Sequence, residues 1–589
     1  MDFQVAYWLY LLIFFSGLGI VLRLSVPIAY SWAPILQSLS ILIIALVGLK
    51  LGPSWLFALV GYSLIVLIYL NSRSFYVGLQ GSINALNAEK LHKLSKRARD
   101  IYWGKGGEFW QDMAEALALF IELKEDDANK LIDKWQMQVD SMPKEIRHLP
   151  GNYQLIGNAL MRKWEKIVQI YEENTTRGIK TENPTILLPT ARAYAELGEF
   201  EKSYQCIVKA KLEESQFPLA YVGQSILPFF ALAGARKETE KLLEVLDKDK
   251  NTFPQSLANY WRGQSLLTAG DTATAIKFFE DAKADNPSKE FCQRVDRQIE
   301  KAKNRESELQ SFHPDKLKHV NEVWNIFVKT DFVLAVVNPN RKSVAVLVLF
   351  ILNTLVFLVS DAYEFPGLRQ FSYTSVETLA GFTTYLIESF GLIPKLALAG
   401  QYYRFFTYSF LHANLTHYFL NMLMLYWFGR LAVNIFGTPR FLAIYIFGGF
   451  LGGIAQALIK PDELAIGASG CLMAAFGAVL AGIFRLKDRL PRSIWNAQMT
   501  LLISLAASQL LLDKIIPVVA QHMAPKILPS IADLAHLGGF LAGLCFGLLV
   551  SPVPSKITDK FIDEEAVSMS DPVLFSLSGC EEKDESAKD

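Results

Sequence analysis

The stretch Ala465-Ile-Gly-Ala-Ser-Gly-Cys471 places a serine between two glycines, at the start of an apolar run that continues to Phe484. A hydroxyl is unusual there, because a polar side chain inside a bilayer costs roughly 1 to 3 kcal/mol. Sixty-seven residues later, His536 opens a second apolar run, Ala535-His-Leu-Gly-Gly-Phe-Leu-Ala-Gly543. The sequence predicts that Ser469 and His536 meet inside a bundle of membrane helices.

The composition indicates membrane segments that are joined to a soluble part. The chain has 589 residues, of which 51% are hydrophobic although 20% are charged, and this length predicts two or three domains. The formal net charge is zero, so nothing indicates a nucleic-acid partner. Its five cysteines match neither a metal site nor a disulfide framework, and we expect no metal and no other cofactor.

Residues 1–70 contain three apolar runs, each close to the roughly 20 residues that a transmembrane helix needs. They cover about residues 5–22, 32–49 and 54–70. The first run has two interpretations, a secretory signal or a membrane helix. The membrane helix is favoured, because Asp2 is the only charge before the run and a signal begins with positive charges. Lysines and arginines follow the third run, so three spans place the next region in the cytoplasm.

Residues 71–335 change to charged segments with helical periodicity and predict a soluble helical domain. Gly198, Gly234 and Gly270 are 36 residues apart, and each lies between two helical stretches. Glycine at such a corner supplies the left-handed conformation that ends the first helix. The region, clearest at 183–288, resembles the tetratricopeptide repeat, which implies a scaffold that holds a protein partner. The alternative is a helical solenoid that only braces the membrane part.

Residues 336–552 contain six further apolar runs and predict a polytopic membrane domain. They cover about 343–361, 412–436, 439–459, 464–484, 497–517 and 531–550. Positive clusters flank the runs in agreement with one topology, in which the odd-numbered runs rise from the cytoplasm. The aromatic segment 363–403 is expected to lie partly in the outer interface. The polar tail, 553–589, is predicted to be disordered and cytoplasmic.

On this topology Ser469 and His536 each lie about five residues into a helix that begins at the outer surface, and therefore at similar depth. Gly539, Gly543 and Gly547 share the face of His536, and the fourth run offers a matching stripe of small residues. Small residues let membrane helices approach closely. A hydroxyl and an imidazole on touching faces at one depth are what activation of a nucleophile requires.

Acyl transfer also needs hydrogen-bond donors for the developing oxyanion. His417 and Asn421 are four residues apart on one helical face near the outer end of the second run. The backbone N–H of Ser469 is a further candidate, because amides in the first turn of a helix are unpaired. Taken singly, each of these side chains is more often a packing or structural residue. Four of them from three helices at one depth indicate a site.

Four motifs, in this order, resemble the rhomboid family of intramembrane serine proteases. They are Arg404-Phe-Phe-Thr-Tyr-Ser-Phe-Leu-His412, His417-x-x-x-Asn421, Gly467-Ala-Ser-Gly470 and Ala535-His-x-x-Gly539. The resemblance covers about residues 340–551. Gly-x-Ser-Gly alone is a weak signal, whereas all four motifs in the order of the family are highly specific.

The resemblance implies a six-helix fold with a water-filled cavity that is open to the outside. It assigns Ser469 as the nucleophile and His536 as the general base, in a dyad without a catalytic carboxylate. His417, Asn421 and the Ser469 amide would form the oxyanion hole. Supporting roles would belong to Gly467, Gly470, His412, Arg404 and Gly539.

Two positions depart from the family pattern. Met473 replaces a tyrosine that stacks on the catalytic histidine in many members, and Val433 replaces a glutamate that braces a helix. Methionine still packs against an aromatic ring, although it orients the ring less firmly. Neither change removes a catalytic group, so we expect effects on rate and stability.

The predicted fold is all-α, with a rhomboid-like six-helix membrane bundle, a soluble helical repeat domain and extra N-terminal membrane helices. The predicted function is that of a serine endopeptidase that cleaves transmembrane protein substrates in the lipid bilayer. A bacterial inner membrane is the expected location. Two alternatives are a catalytically silent scaffold that binds membrane proteins, and a protein in which the repeat domain is the active part.

Overall fold

The computed structural model of the protein is helical, which confirms the predicted fold class. Its described part contains no β-strand, only one isolated antiparallel bridge between Leu392 and Ala465. The structure describes residues 12, 16, 28–50, 54–102, 104–143, 146–176, 182–214, 217–246, 253–286, 288–305, 314–337, 343–362, 382–413, 415–523 and 533–552. Most of the first predicted run, the segment 363–381 and the tail 553–589 lie outside these residues.

The chain divides into two compact units, and each is described by itself. Among the described residues, those up to Phe327 form the first unit and those from Val328 onward form the second. The predicted domain boundaries at residues 70, 335 and 552 stay predictions.

The first unit consists of helices that are mostly 10 to 20 residues long. They are α1 (Ile28–Lys50), α2 (Ser54–Asn84), α3 (Ala88–Tyr102), α4 (Gly104–Ile121), α5 (Glu125–Gln136), α6 (Leu149–Leu160), α7 (Trp164–Thr176), α8 (Pro184–Glu196), α9 (Phe200–Lys209), α10 (Leu219–Ala233), α11 (Arg236–Leu246), α12 (Gln255–Thr268), α13 (Thr272–Ala284) and α14 (Lys289–Arg305). The next helix is α15 (Val320–Val337). Helix α2 continues past the predicted apolar run to Asn84, because residues 71–84 contain no proline and bury Phe75 and Leu79.

Three consecutive helical hairpins follow the 36-residue spacing of the glycines. Helices α8 and α9, α10 and α11, and α12 and α13 pack in pairs, and α10 lies between α8 and α12. Gly198, Gly234 and Gly270 stand at the three corners with φ of +84°, +77° and +89°, a conformation that glycine adopts without strain. The hairpins are therefore present as expected, while the assignment to the tetratricopeptide family stays a prediction.

The second unit contains the predicted membrane runs as helices. They are α16 (Val344–Ala362), α17 (Phe382–Phe390), α18 (Pro394–Leu398), α19 (Arg404–Thr407), α20 (Leu415–Met424), α21 (Arg430–Phe436), α22 (Thr438–Ile459), α23 (Ser469–Arg485), α24 (Arg492–Met523) and α25 (Asp533–Leu549). A π-helical turn, Leu425–Gly429, joins α20 to α21. In the described part of the chain, His417–Phe436 and Thr438–Ile459 are long and apolar enough to span a membrane. The other predicted spans and their orientation stay predictions.

Helices α23 and α25 approach so closely that their backbones touch. A Cβ atom on Gly543 would lie 1.9 Å from the carbonyl oxygen of Ala474, and one on Gly539 would lie 2.2 Å from that of Gly470. The same restriction applies to Gly477 on α23, where a Cβ atom would lie 2.2 Å from the carbonyl oxygen of Phe540 on α25. No side chain larger than hydrogen fits at these positions, so the small stripes expected from the sequence form this contact.

We predict that Gly543→Leu separates α23 from α25. The new side chain meets backbone, which cannot yield as a flexible side chain would, and overpacking of this kind costs at least about 1 to 3 kcal/mol. The expected result is a lower melting temperature of the full chain in detergent. Leu541→Ala is the control, because Leu541 lies on the same helix and is 48% exposed. Equal melting temperatures for the wild type and Gly543→Leu would contradict this packing.

His92 in the first unit bridges two carboxylates between α3 and the end of α4. Its Nδ1 lies 2.9 Å from Glu115 Oε1 and its Nε2 lies 3.1 Å from Glu122 Oε1. Burial lowers the pKa of His92, but the hydrogen bonds and charges of the two glutamates outweigh it and raise the pKa above 6.5. The protonated histidine therefore stabilises the fold below the unfolded pKa, and this contribution is lost as pH rises through the folded pKa.

We predict that His92→Gln destabilises the chain by about 1 kcal/mol or less at about pH 6, and by a smaller amount at about pH 8.5. Thermal unfolding at both pH values measures the difference. Lys93→Gln is the control, because it removes one positive charge from the exposed Lys93–Glu89 pair on the same helix and leaves His92 in place. If His92→Gln lowers the unfolding free energy as much at the higher pH as at the lower pH, the charge of His92 does not stabilise the fold.

Candidate active site

Ser469 is the first residue of α23, so the prediction that it lies five residues inside its helix is wrong. Residues 464–468 are apolar but not helical. Ala465 pairs with Leu392 through two backbone hydrogen bonds of 3.0 and 3.1 Å. Gly467 then adopts a φ of +116°, which other residues rarely adopt. The chain therefore turns sharply into α23 and presents Ser469 at the positive end of the helix dipole.

His536 faces Ser469 directly. It is the fourth residue of α25, which begins at Asp533. The His536 Nε2 and Ser469 Oγ atoms are 2.7 Å apart, a normal hydrogen-bond distance, and both residues are partly exposed. The structure thus brings the Ser469 hydroxyl and the His536 imidazole together. With Nε2 as the acceptor, this arrangement can take the proton of the hydroxyl as the oxygen attacks an electrophile.

The glycine contact between the two helices begins directly beneath this pair. Gly470 follows Ser469, and Gly539 lies almost one turn after His536. The carbonyl of Gly470 occupies the space in which a Cβ of Gly539 would lie. The separation of the hydroxyl and the imidazole is consequently set by backbone contact and not by flexible side chains.

His417 and Asn421, on α20, lie against the loop that precedes Ser469. A Cβ on Gly467 would lie 2.6 Å from His417 Nε2 and 3.5 Å from Asn421 Nδ2, so only glycine fits between them. His417 Nδ1 accepts a hydrogen bond of 3.4 Å from the backbone N–H of Ala413, which leaves the ring proton on Nε2. Asn421 is 3% exposed, and its Nδ2 has no hydrogen-bond partner among the described residues. Two donors therefore face the region of Gly467.

Arg404 and His412 hold the surroundings of the site. Arg404 is 3% exposed, and its guanidinium donates to the carbonyl of Gly391 at 2.7 Å and to Gln401 Oε1 at 2.6 Å. These bonds tie α19 to the segment that carries Leu392, the partner of Ala465. The buried ring of His412 lies 5.3 Å from the ring of His417, centroid to centroid. Arg404 thus holds the segment with which the loop before Ser469 pairs, whereas His412 packs beside His417.

Three polar residues outside the predicted site support neighbouring helices, Lys460 and Gln456 at α25 and Tyr408 at α22. Lys460, next to the end of α22, pairs with Asp533 at 2.9 Å, and the side chain of Gln456 accepts a hydrogen bond of 3.3 Å from the backbone N–H of Ala535. Tyr408 donates to the carbonyl of Gly449 at 2.8 Å. The sequence alone could have indicated Gln456, because an amide side chain inside an apolar run needs a hydrogen-bond partner. Asp533 is thus an ion-pair partner of Lys460.

The two departures from the family pattern are accommodated in the core of the second unit. Met473 is 2% exposed and belongs to the apolar cluster beneath Ser469, and Val433 packs against the same cluster. In the described part of the chain, no group of three or more His, Cys, Asp or Glu residues is arranged to hold a metal ion.

Residues 399–553 match the family model described as the Rhomboid domain. This part of the chain is a rhomboid domain. It includes the site described above, and it makes the chain a membrane protein.

The rhomboid domain has relatives in a plant and in a bacterium. RHOMBOID-like protein 2 of Arabidopsis thaliana is 30% identical over 222 residues, which are 36% of this chain and 65% of that protein. RHOMBOID-like protein 6, mitochondrial, of the same plant is 27% identical over 198 residues, 33% of this chain and 60% of that protein. Rhomboid protease GluP of Bacillus subtilis is 32% identical over 120 residues, 20% of this chain and 24% of that protein. The chain thus spans less than two thirds of each relative.

We predict that a fluorophosphonate probe labels Ser469 selectively. His536→Ala should slow the labelling by at least about 100-fold, because a positioned general base contributes about 10² to 10⁴ in rate. Mass spectrometry of the labelled peptide identifies the residue. Ser504→Ala should label like the wild type, since Ser504 lies exposed on α24. Undiminished labelling of Ser469→Ala would show that another nucleophile reacts.

Proposed function

We propose that the rhomboid domain is an intramembrane serine endopeptidase that cleaves transmembrane segments of membrane proteins. The observation that carries this proposal is the 2.7 Å contact between Ser469 Oγ and His536 Nε2 at the start of two glycine-packed helices. One relative, Rhomboid protease GluP of Bacillus subtilis, is named as a protease, and this name supports proteolysis as the reaction class.

In the proposed reaction, Ser469 Oγ attacks the carbonyl carbon of the scissile peptide bond while its proton passes to His536 Nε2. The tetrahedral intermediate collapses, the C–N bond breaks, and His536 returns the proton to the leaving amine. A water molecule then attacks the acyl-enzyme with His536 as the base, which releases the acid and restores the Ser469 hydroxyl. One water is consumed for each bond that is cleaved.

The oxyanion of both intermediates would be stabilised by three donors. They are the Nε2–H of His417, the Nδ2–H of Asn421 and the backbone N–H of Ser469. The unpartnered amide of Asn421 supports this role, because a buried donor without a partner costs free energy that an oxyanion can recover. The positive end of α23 adds to the same field.

The substrates would be membrane proteins with a segment that unwinds locally, since a regular helix hides its peptide bonds. The site would open toward the outer side and the repeat region would lie in the cytoplasm, an orientation that the positive residues beside the apolar runs support. A bacterial inner membrane is the proposed location. The hairpins of the first unit would hold a protein partner or a substrate, as stacked helical repeats do.

The proposal is tested with the purified full chain in liposomes and a fluorogenic peptide that contains a transmembrane segment. Ser469→Ala and His536→Ala should abolish cleavage, and Asn421→Ala should lower kcat by about 10² to 10³. Ser504→Ala is the matched control and should cleave like the wild type.

Two outcomes would contradict the proposal. Cleavage by Ser469→Ala at the wild-type rate would exclude the serine as nucleophile. Binding of membrane segments without cleavage by the wild type would identify the chain as a silent scaffold instead.

A further inference from the structure

The first unit contains three arginines, remote in sequence, that gather around a single carboxylate. Arg162 lies in the turn between α6 and α7, Arg192 lies on α8, and Arg294 lies on α14. Arg162 and Arg192 each approach Glu196 to 3.7 Å. We call these three arginines with Glu196 the arginine cluster. Three positive charges face one negative charge, so the cluster carries an excess of two.

Most hydrogen-bond donors of the arginine cluster have no acceptor in the part of the protein that the structure describes. A guanidinium offers five N–H donors, and 3.7 Å is too long for a hydrogen bond. Arg294 donates to the carbonyl of Leu160 at 2.8 Å, and this is the one hydrogen bond that the three guanidinium groups make to described residues. The buried Nε of Arg192 has no partner among those residues. The Arg162 and Arg192 side chains are 25% and 29% exposed, so their remaining donors are open to water or to a ligand.

The positions of these arginines are held by surrounding groups. The guanidinium carbon of Arg192 lies 5.2 Å from the centre of the Trp164 ring and 5.3 Å from that of Trp261, a cation–π arrangement with two rings. Arg162 has a φ of +59°, an unusual conformation for a residue with a side chain. Arg162 thus stands at the left-handed end of α6, and two aromatic rings hold Arg192 in place.

The electrostatic cost of this arrangement is visible at Arg294. Burial, to which the charges of Arg192 and Arg162 add, lowers its pKa from 12.5 to about 10. An anion bound between the guanidinium groups would relieve both the desolvation and the repulsion.

Arg162 and Arg294 line a cavity of about 400 Å³. This volume lies within the range of about 300 to 1,000 Å³ that is typical of small-molecule sites. Lys124 and Arg297 add positive charge to the wall, while Glu122 and Glu290 add negative charge. Glu122 is already paired with Lys124 at 2.7 Å, and Glu290 accepts a hydrogen bond of 3.0 Å from Ser288. The free donors therefore belong to the arginines.

We propose that this cavity binds a small molecule that carries a phosphate group, with Arg162 and Arg294 as its ligands. The lining carries four positive and two negative side chains, and this excess of two matches a phosphate dianion. A tetrahedral group presents oxygens in several directions, which suits guanidinium groups from two separate elements, and arginine binds phosphate in a bidentate manner. A planar carboxylate fits less well, since Glu196 already lies between two of the arginines and leaves their donors unused.

The test uses the full chain in detergent and follows binding by calorimetry and by thermal unfolding. The probes are inorganic phosphate and adenosine monophosphate, compared with sodium chloride and sodium acetate at equal ionic strength. We expect at least one phosphate compound to raise the melting temperature by about 2 °C or more, because a ligand stabilises the state that it binds. Equal effects of phosphate, acetate and chloride would overturn the proposal.

The two phosphate probes separate the possible sources of the ligand. Equal affinity for both would identify a site for free phosphate, and tighter binding of the nucleotide would identify a site for an organic phosphate. Binding is expected to be unchanged in Ser469→Ala, so failure here is distinguishable from failure of the proposed protease activity.

Variants locate the site. Arg162→Gln and Arg294→Gln should each weaken phosphate binding by at least about tenfold. Arg236→Gln is the matched control, because Arg236 has a similar 3.7 Å pair with Asp271 in the same unit but lies outside the cavity. Arg162→Lys keeps the charge and is the second variant if Arg294→Gln does not fold; it should lose affinity because lysine cannot bind in a bidentate manner. Wild-type affinity in both Arg162 variants would overturn the proposal.

Discussion

The contact between α23 and α25 is made by backbone atoms, and the geometry of the site depends on it. At Gly539 and Gly543 the carbonyl groups of the opposite helix fill the volume of a side chain. Two helices in that contact have little freedom to slide or rotate, because every displacement drives main chain into main chain. Ser469 and His536 lie at the end of this contact. Because the backbones there cannot shift, the 2.7 Å distance between Ser469 Oγ and His536 Nε2 is held as well. Preorganisation of this kind is what a nucleophile and its base require.

The loop before Ser469 completes the arrangement from the other side. Gly467 leaves space for His417 and Asn421, and its positive φ turns the chain into the first residue of α23. Each polar group that the membrane domain buries here would cost free energy in lipid, and several are paired with a neighbouring segment. Asn421 is among those that are not, since its amide donor has no acceptor among the described residues. A packed scaffold and an unsatisfied donor together are typical of a reactive site.

Glycine also shapes the first unit, where it ends helices at the corners of hairpins. Corner glycines stack helical hairpins, and this stacking assembles Arg162, Arg192 and Arg294 from distant parts of the chain. The 36-residue spacing of the glycines predicted the hairpins, since only a left-handed corner explains glycine at that interval. No pattern in the sequence predicted the arginine cluster, because arginines on charged helices are usually solvated and their separations of 30 and 102 residues follow no helical period.

The sequence by itself determined the helical class, the corners of the hairpins, the small-residue faces of α23 and α25, and the candidate residues Ser469, His536, His417 and Asn421. These follow from local rules, namely periodicity, the conformational freedom of glycine and the cost of polar groups in apolar runs. Only the tertiary structure decided that α23 begins at Ser469, because an apolar run does not reveal where Leu392 will pair with Ala465. Only the tertiary structure decided the partners of Gln456 and Lys460 as well. Those contacts join residues about 70 or more positions apart, and the free energy that selects them comes from packing and pairing that exist only once the helices are assembled.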